Sequence, residues 1–383
     1  MKAVRAIAVE DALGRARVEM ISTESLEISA WRRRLEPVIL KSWELAHRPL
    51  DQVRRLTDDG EDWLAVTLSD RTVLASDDFS ELGRTDPGAA VIYPELDSRL
   101  WAWWLTHAWS ATELAAEASK AISNWNLASA ATLTRSLLES VAAFAYEGRQ
   151  IANAWRAAKA LPPGGDRPYR VRHHLNSPLL RAFRATRLPG APATLQRPNV
   201  LTWLSRLARD TACEEVQNWY AALSEAAHPS SQARILYSSL TLGHANGAKY
   251  ETHFTYRPIG ILPLGASDET TVKVQNFSRE MVDCWLFSSS VLREVLSRGF
   301  CLAGDFTLTT GAAGLAGSEY LRGFWAFEPC QCGCDGAVDH SWGADAARFK
   351  LSTRGRRSRR PARCEDAADS PSRHCAGHGQ TPR

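Results

Sequence analysis

The sequence predicts a mainly α fold: a helical bundle with a small mixed α/β N-terminal region before it and a flexible Cys- and Arg-rich tail after it. Three stretches predict the bundle. Residues 127–146, LASAATLTRSLLESVAAFAY, are apolar around most of a helical circumference, as in a helix buried on several sides. Residues 214–231, EEVQNWYAALSEAAHPSS, set Val216, Trp219, Leu223 and Ala226 on one helical face. Residues 270–298 repeat Val274, Phe277, Met281, Trp285, Val291 and Val295 at the same period. The predicted boundaries are a mixed region over 1–91, the bundle over 92–300, a Gly-rich linker over 301–329 and the tail over 330–383.

Taken in order, residues 25–40 form a helix with Trp31, Leu35, Val38 and Ile39 inward and Arg32, Arg33 and Arg34 outward, and residues 40–56 form a second. WLAVTL at 63–68 and residues 72–75 flank Ser69-Asp70-Arg71 and read as a hairpin. Residues 94–123 carry Leu100, Trp104, Leu105, Trp109 and Leu114 at helical spacing. Ser123-Asn124-Trp125-Asn126 interrupts the pattern, and an Asn side chain there can cap the next helix. That helix runs toward Ala158 and ends at Leu161-Pro162-Pro163-Gly164-Gly165.

Residues 166–199, with Arg167, Arg170, Arg172, His173, His174, Arg181, Arg184 and Arg187 against one acid, read as a basic solvated connector with one short helix. Helices follow over 200–212 and 214–228, the second stopped by Pro229. YETHFTYR at 250–257 alternates as a strand does. GAAGLAG at 311–317 lacks the lysine and the strand–helix setting of a phosphate loop and reads as linker.

The candidate site residues are Arg135, Glu139, Tyr220, Ser224 and His228. Ala128, Ala131, Glu139, Ala142 and Tyr146 gather on the Arg135 side of their helix, so a neighbouring backbone can come close and Arg135 and Glu139 fall in a tight groove. Arg before Glu is the weaker i,i+4 orientation, which points to a tertiary partner. The pair either fixes packing register or forms part of an anion-binding or catalytic groove. Tyr220, Ser224 and His228 share one face of their helix, with His228 in the final turn, where the helix dipole favours its protonated form. A Ser–His hydrolase also needs an orienting acid and an oxyanion hole, and no segment signals either.

The motifs R-x-LLE, in TRSLLES, and Y-x-x-LSE-x-x-HP, in YAALSEAAHPSS, give the chain a family resemblance. Over about residues 100–291 it resembles a group of bacterial all-helical domains of unknown function, itself distantly similar to HEPN-type domains. Some of those are metal-independent ribonucleases of toxin and defence systems, and many are non-catalytic. The resemblance implies an all-helical bundle and, for a catalytic member, a groove at a helix or dimer interface in which Arg135 holds phosphate and His228 transfers a proton. HEPN nucleases carry an Arg a few residues before that His on one helix, whereas Ala221, Ala222 and Leu223 precede His228.

The opening residues hold no sustained apolar run, and no stretch approaches the length of a membrane span, so a cytoplasmic protein without a membrane partner is expected. The 14 tryptophans are spread along the chain and read as core. Cys213, Cys284 and Cys301 stand alone as small hydrophobes, while the other five cysteines follow residue 329, which argues against a disulfide framework. Cys330, Cys332, Cys334 and His340 are candidate zinc ligands, with Cys364, His374, Cys375 and His378 available to close a site; reduced thiols are the alternative. Residues 350–363, KLSTRGRRSRRPAR, carry seven positive charges; taking these from the chain's +3 leaves −4 for the rest. Without interleaved aromatics, such a run can hold RNA or DNA only nonspecifically.

Three readings of function follow. The first is a non-catalytic interaction domain, in a stress or defence setting, with RNA or another protein as partner and a homodimer as one assembly. The second is a HEPN-like ribonuclease. The third is a zinc-clipped nucleic-acid-binding accessory protein.

Overall fold

The computed structural model describes residues 9–46, 63–67, 72–76, 86–186, 189–190, 192, 195–228, 238–245, 249–256 and 268–311. Its elements are α1 (Arg15–Ala46), β1 (Trp63–Thr67), β2 (Thr72–Ser76), α2 (Pro87–Ser123), α3 (Leu127–Lys159), α4 (Arg167–Arg184), α5 (Val200–Thr211), α6 (Glu215–Ala227), β3 (Ser238–Ala245), β4 (Lys249–Tyr256) and α7 (Asp268–Thr310). The described residues are mainly helical. Strand pairing among them is limited to two antiparallel two-stranded ribbons, β1 with β2 and β3 with β4.

The most enclosed helix is α7. Met281, Val282, Cys284, Trp285, Phe287, Ser288, Leu292, Leu296, Leu302 and Phe306 are buried, and together they cover more than half of its circumference. Four buried indole N–H groups fix its neighbours. Trp104 of α2 donates to Leu296 O at 2.8 Å, and Trp285 donates back to Ala115 O at 3.0 Å, so α2 and α7 run antiparallel. Trp101 donates to Thr307 Oγ1 at 3.2 Å, and Trp155 of α3 to Asp305 Oδ2 at 2.7 Å. Gly299 lies where α7 crosses α2; a Cβ there would stand 2.7 Å from Trp104 Cδ1 and 3.3 Å from Phe144 Cζ.

The expected small mixed α/β N-terminal region is not supported. Residues 15–46 are one helix built into the bundle, with Ile28 and Leu35 fully buried. Two-pronged ion pairs tie it to α7: Arg17 to Asp283 at 2.8 and 2.9 Å, and Arg293 to Glu24 at 2.8 and 3.1 Å. The Trp31, Leu35, Val38 and Ile39 row does face inward, and Arg32 lies over the Trp109 ring at 5.4 Å. The helix continues past Leu40 to Ala46; the rest of the second helix expected over 40–56 lies outside the described residues.

Three other expectations change. The basic connector holds an 18-residue helix, α4, whose Pro168, Val171, Leu175 and Leu179 are buried. Its arginines and histidines dominate the composition and hide that apolar row. The last helix runs on to Thr310 through the first ten residues of the expected linker, because Leu302, Ala303 and Phe306 continue the core stripe. Asn126 makes no side-chain cap bond at the start of α3. The α2–α3 turn is instead made by Trp125, in the left-handed region at φ 56° with its side chain buried; burial of the ring offsets the backbone cost.

Two predictions follow from this packing. Gly299→Ala should lower the urea midpoint: overpacking costs about 1–3 kcal/mol, against the roughly 1 kcal/mol that Ala gains in helix propensity. An unchanged midpoint would mean that Trp104 yields. The second concerns Asp97, which is fully buried; burial pushes its carboxyl up to about 6, against hydrogen bonds from Thr307 and Trp101. A raised carboxyl pKa means the folded chain holds the proton more tightly than the unfolded chain. Stability from this group is therefore greatest below its ordinary value of 3.8, falls as pH rises to about 6, and stays lower above. Asp97→Asn should flatten that slope and gain roughly 2–3 kcal/mol at pH 7; urea denaturation from pH 4 to 7 reads it.

Candidate functional site

Arg135, Ser136, Glu139 and Ser140 occupy one face of α3, at spacings that return to the same side each turn. Buried Ala128, Ala131 and Ala142 flank that face and let α6 come close. Tyr220 of α6 meets Arg135 there: Nη2 donates to the phenol oxygen at 3.3 Å, and the guanidinium lies 5.2 Å from the ring centre. Nε donates to Glu139 Oε1 at 3.1 Å. The tertiary partner that the Arg-before-Glu order called for is thus Tyr220.

The opposite wall comes from α5 and the segment before it. The Thr186 N–H donates to Leu195 O at 2.9 Å and the Arg197 N–H to Thr186 O at 3.0 Å, which folds the segment back on itself. Asn199 then caps α5, its side chain accepting from the Leu201 N–H at 3.2 Å. Ala185, Thr186, Arg197, Val200 and Trp203 thereby complete a cleft of about 500 Å³ over Arg135, Ser136, Glu139, Ser140 and Tyr220. Arg197 is exposed and lies 4.6 Å over the Trp203 ring; behind it Trp203 packs on Tyr146, and Arg206 covers Tyr146 at 5.0 Å.

Several donors in this cleft have no partner among the described residues. Trp203 is 4 % exposed, and its buried Nε1 has no hydrogen-bond acceptor among the described residues. Thr132, also on α3, turns its hydroxyl back to Ala128 O at 3.0 Å. Ser136 and Ser140, half-buried, make no such bond among the described residues. Two guanidiniums against one carboxylate leave the lining with one net positive charge.

The structure thus brings Arg135, Glu139 and Tyr220 together but leaves Ser224 and His228 outside the cleft lining. The Ser224 hydroxyl is committed to Tyr220 O at 2.7 Å, so it does not serve His228. His228 is the exposed C-cap residue of α6, in extended backbone, its N–H donating to Ser224 O at 3.1 Å. Eight residues separate it from Tyr220, about 12 Å along a helix. Among the described residues His228 is therefore not part of the lining that surrounds Arg135. The sequence reading missed Thr186, Arg197, Val200 and Trp203. Asn199 and the apolar spacing after it mark the start of α5, but nothing local shows that the segment before it folds back.

Burial raises the Cys213 thiol to about 11 and raises that of Cys284 as well, so neither is a reactive thiolate. No three His, Cys, Asp or Glu side chains gather as a metal site among the described residues. Cys330, Cys332, Cys334 and His340, the tract over 350–363 and the rest of the tail lie outside them. Among the described residues no helix is long and apolar enough to cross a membrane. Comparison with family profiles, curated proteins and solved structures gives no match for this chain.

Arg135 and Glu139 keep 23 % and 34 % of their side chains exposed, so truncating one costs less than for a sealed pair. Arg135→Ala should destabilise the fold by about 1–2 kcal/mol, from the lost ion pair and the cation–π contact with Tyr220. Chemical denaturation measures it, and a much larger loss would mean that the pair is closed off from water.

Proposed function

We propose that this chain is a non-catalytic helical recognition domain that takes its ligand in the Arg135 cleft. One observation carries the reading: hydrogen-bond donors and cationic groups converge there, and the described lining holds no imidazole or thiol beside its hydroxyls. The lining holds neither His nor Cys, and its only carboxylate, Glu139, is engaged by Arg135. The R-x-LLE and Y-x-x-LSE-x-x-HP motifs support a bacterial setting of the stress or defence kind, with RNA or another protein as the larger partner.

The HEPN-like ribonuclease is the second reading, and Arg135, held in a groove against Tyr220, favours it. General acid–base cleavage of RNA needs an imidazole within hydrogen-bond reach of the same phosphodiester that the guanidinium holds. With His228 at the exposed end of α6, this reading requires the imidazole of a second copy. Purified protein incubated with RNA separates the two. The recognition domain leaves RNA intact; cleavage by wild type that Arg135→Ala and His228→Ala both abolish would establish the nuclease and its dimer.

A further inference from the structure

We infer that the Arg135 cleft is a binding site for the phosphoryl group of a small phosphomonoester. The inference rests on the recognition reading above and gives its ligand a chemical class.

Buried polar groups in folded proteins are nearly always hydrogen-bonded, and each exception asks for a cause. Trp203 buries its N–H without an acceptor while its side chain lines an open cleft. Ser136 and Ser140 stand one turn apart on the facing wall with unused hydroxyls. Arg135 spends Nε on Glu139 and Nη2 on Tyr220, which leaves Nη1. Arg197 stacks on Trp203 and pairs with no acid among the described residues. The indole and the guanidiniums can only donate, and the two hydroxyls can donate as well. The missing partner is therefore an acceptor, and the net positive lining makes it an anion.

The number of donors selects among anions. A carboxylate offers about four lone-pair sites in one plane. Five of the lining residues, on α3, on α5 and in the segment before α5, carry donors, and a tetrahedral phosphoryl group presents three terminal oxygens in different directions. Guanidinium forks match such oxygens two at a time. Phosphate alone fills only part of about 500 Å³, and the remaining wall includes Val200, Ala185 and the edge of Tyr220, which suits an organic body. Glu139 disfavours a polyphosphate by charge repulsion, and its pairing with Arg135 makes it tolerable beside a single phosphoryl group.

Calorimetric titration of the full chain tests this with phenyl phosphate and ribose 5-phosphate, against benzoate, gluconate and inorganic phosphate. At least one phosphomonoester should bind, more tightly than its carboxylate counterpart and than inorganic phosphate. Arg197→Gln, at an exposed position, should weaken it about tenfold to a hundredfold, the worth of a charge-assisted hydrogen bond. In nitrogen-15 NMR the indole signal lost in Trp203→Phe should shift on adding the phosphomonoester to wild type, which a merely structural tryptophan would not do. Equal or tighter carboxylate binding overturns the phosphoryl inference but leaves the recognition reading intact. Binding indifferent to both variants, or no binding by any phosphomonoester, also overturns it. Cleavage in the RNA assay is what removes the recognition reading.

Discussion

The structure depends on where four buried indole N–H groups find acceptors. Stripping an indole N–H of water without a partner is costly, and at the centre of a helical bundle backbone carbonyls are already engaged within their own helices. Trp104 and Trp285 solve this by reaching carbonyls across the α2–α7 seam, while Trp101 and Trp155 use Thr307 and Asp305 near the end of α7. Each bond can be made in only one register. Together they set the axial position of α2 and α3 against α7, and Gly299 lets the helices approach at the crossing. Apolar packing alone tolerates a slide by one turn; these bonds do not.

That register decides what α3 presents elsewhere. Leu137, Val141 and Phe144 are buried on the core side of α3, and Trp155 anchors to Asp305, so the Arg135, Ser136, Glu139 and Ser140 face is turned away from α7. Helix α6 covers one edge of that face and is itself fixed by Trp219, packed on Phe287 of α7 at 5.5 Å. Helix α5 and the folded-back segment cover the other edge without closing it. The cleft thus lies between a rigid wall made by the core and a wall held by two backbone hydrogen bonds and an Asn cap.

What could be read in the sequence was whatever periodicity alone determines. The apolar faces of α3, α6 and α7 and the inward row of α1 all follow from residues three, four and seven apart. The extent of α1 was not legible: periodicity was clear only over 25–40, whereas one helix runs Arg15–Ala46. Nor was α4, because charge outweighs its sparse apolar row. The cleft was legible by halves. Arg135, Glu139 and Tyr220 announce themselves by helical spacing, whereas Arg197 and Trp203 reach the site only through a tertiary fold-back with no local signature. His228 shows the converse: a shared helical face with Tyr220 does not imply a shared site, since eight residues of rise carried it to an exposed end.

The orphaned polar atoms sort themselves by surroundings. Thr134 Oγ1 and Ser289 Oγ also lack partners, but both residues are sealed in the core with no accessible surface beyond the packing. A lone hydroxyl there is a fixed cost, of about 1–3 kcal/mol, borne for the size and shape of the side chain. Trp203 differs in kind, because its side chain borders space large enough to admit an acceptor and other unused donors face the same space. Three such groups on two helices are hard to explain by packing, which would be served as well by Phe at 203 and Ala at 136 and 140. Their place beside two guanidiniums is explained if the cleft is selected for what enters it, and then the tryptophans that hold α3 in register are what keep Ser136, Ser140 and Arg135 on the cleft side of that helix.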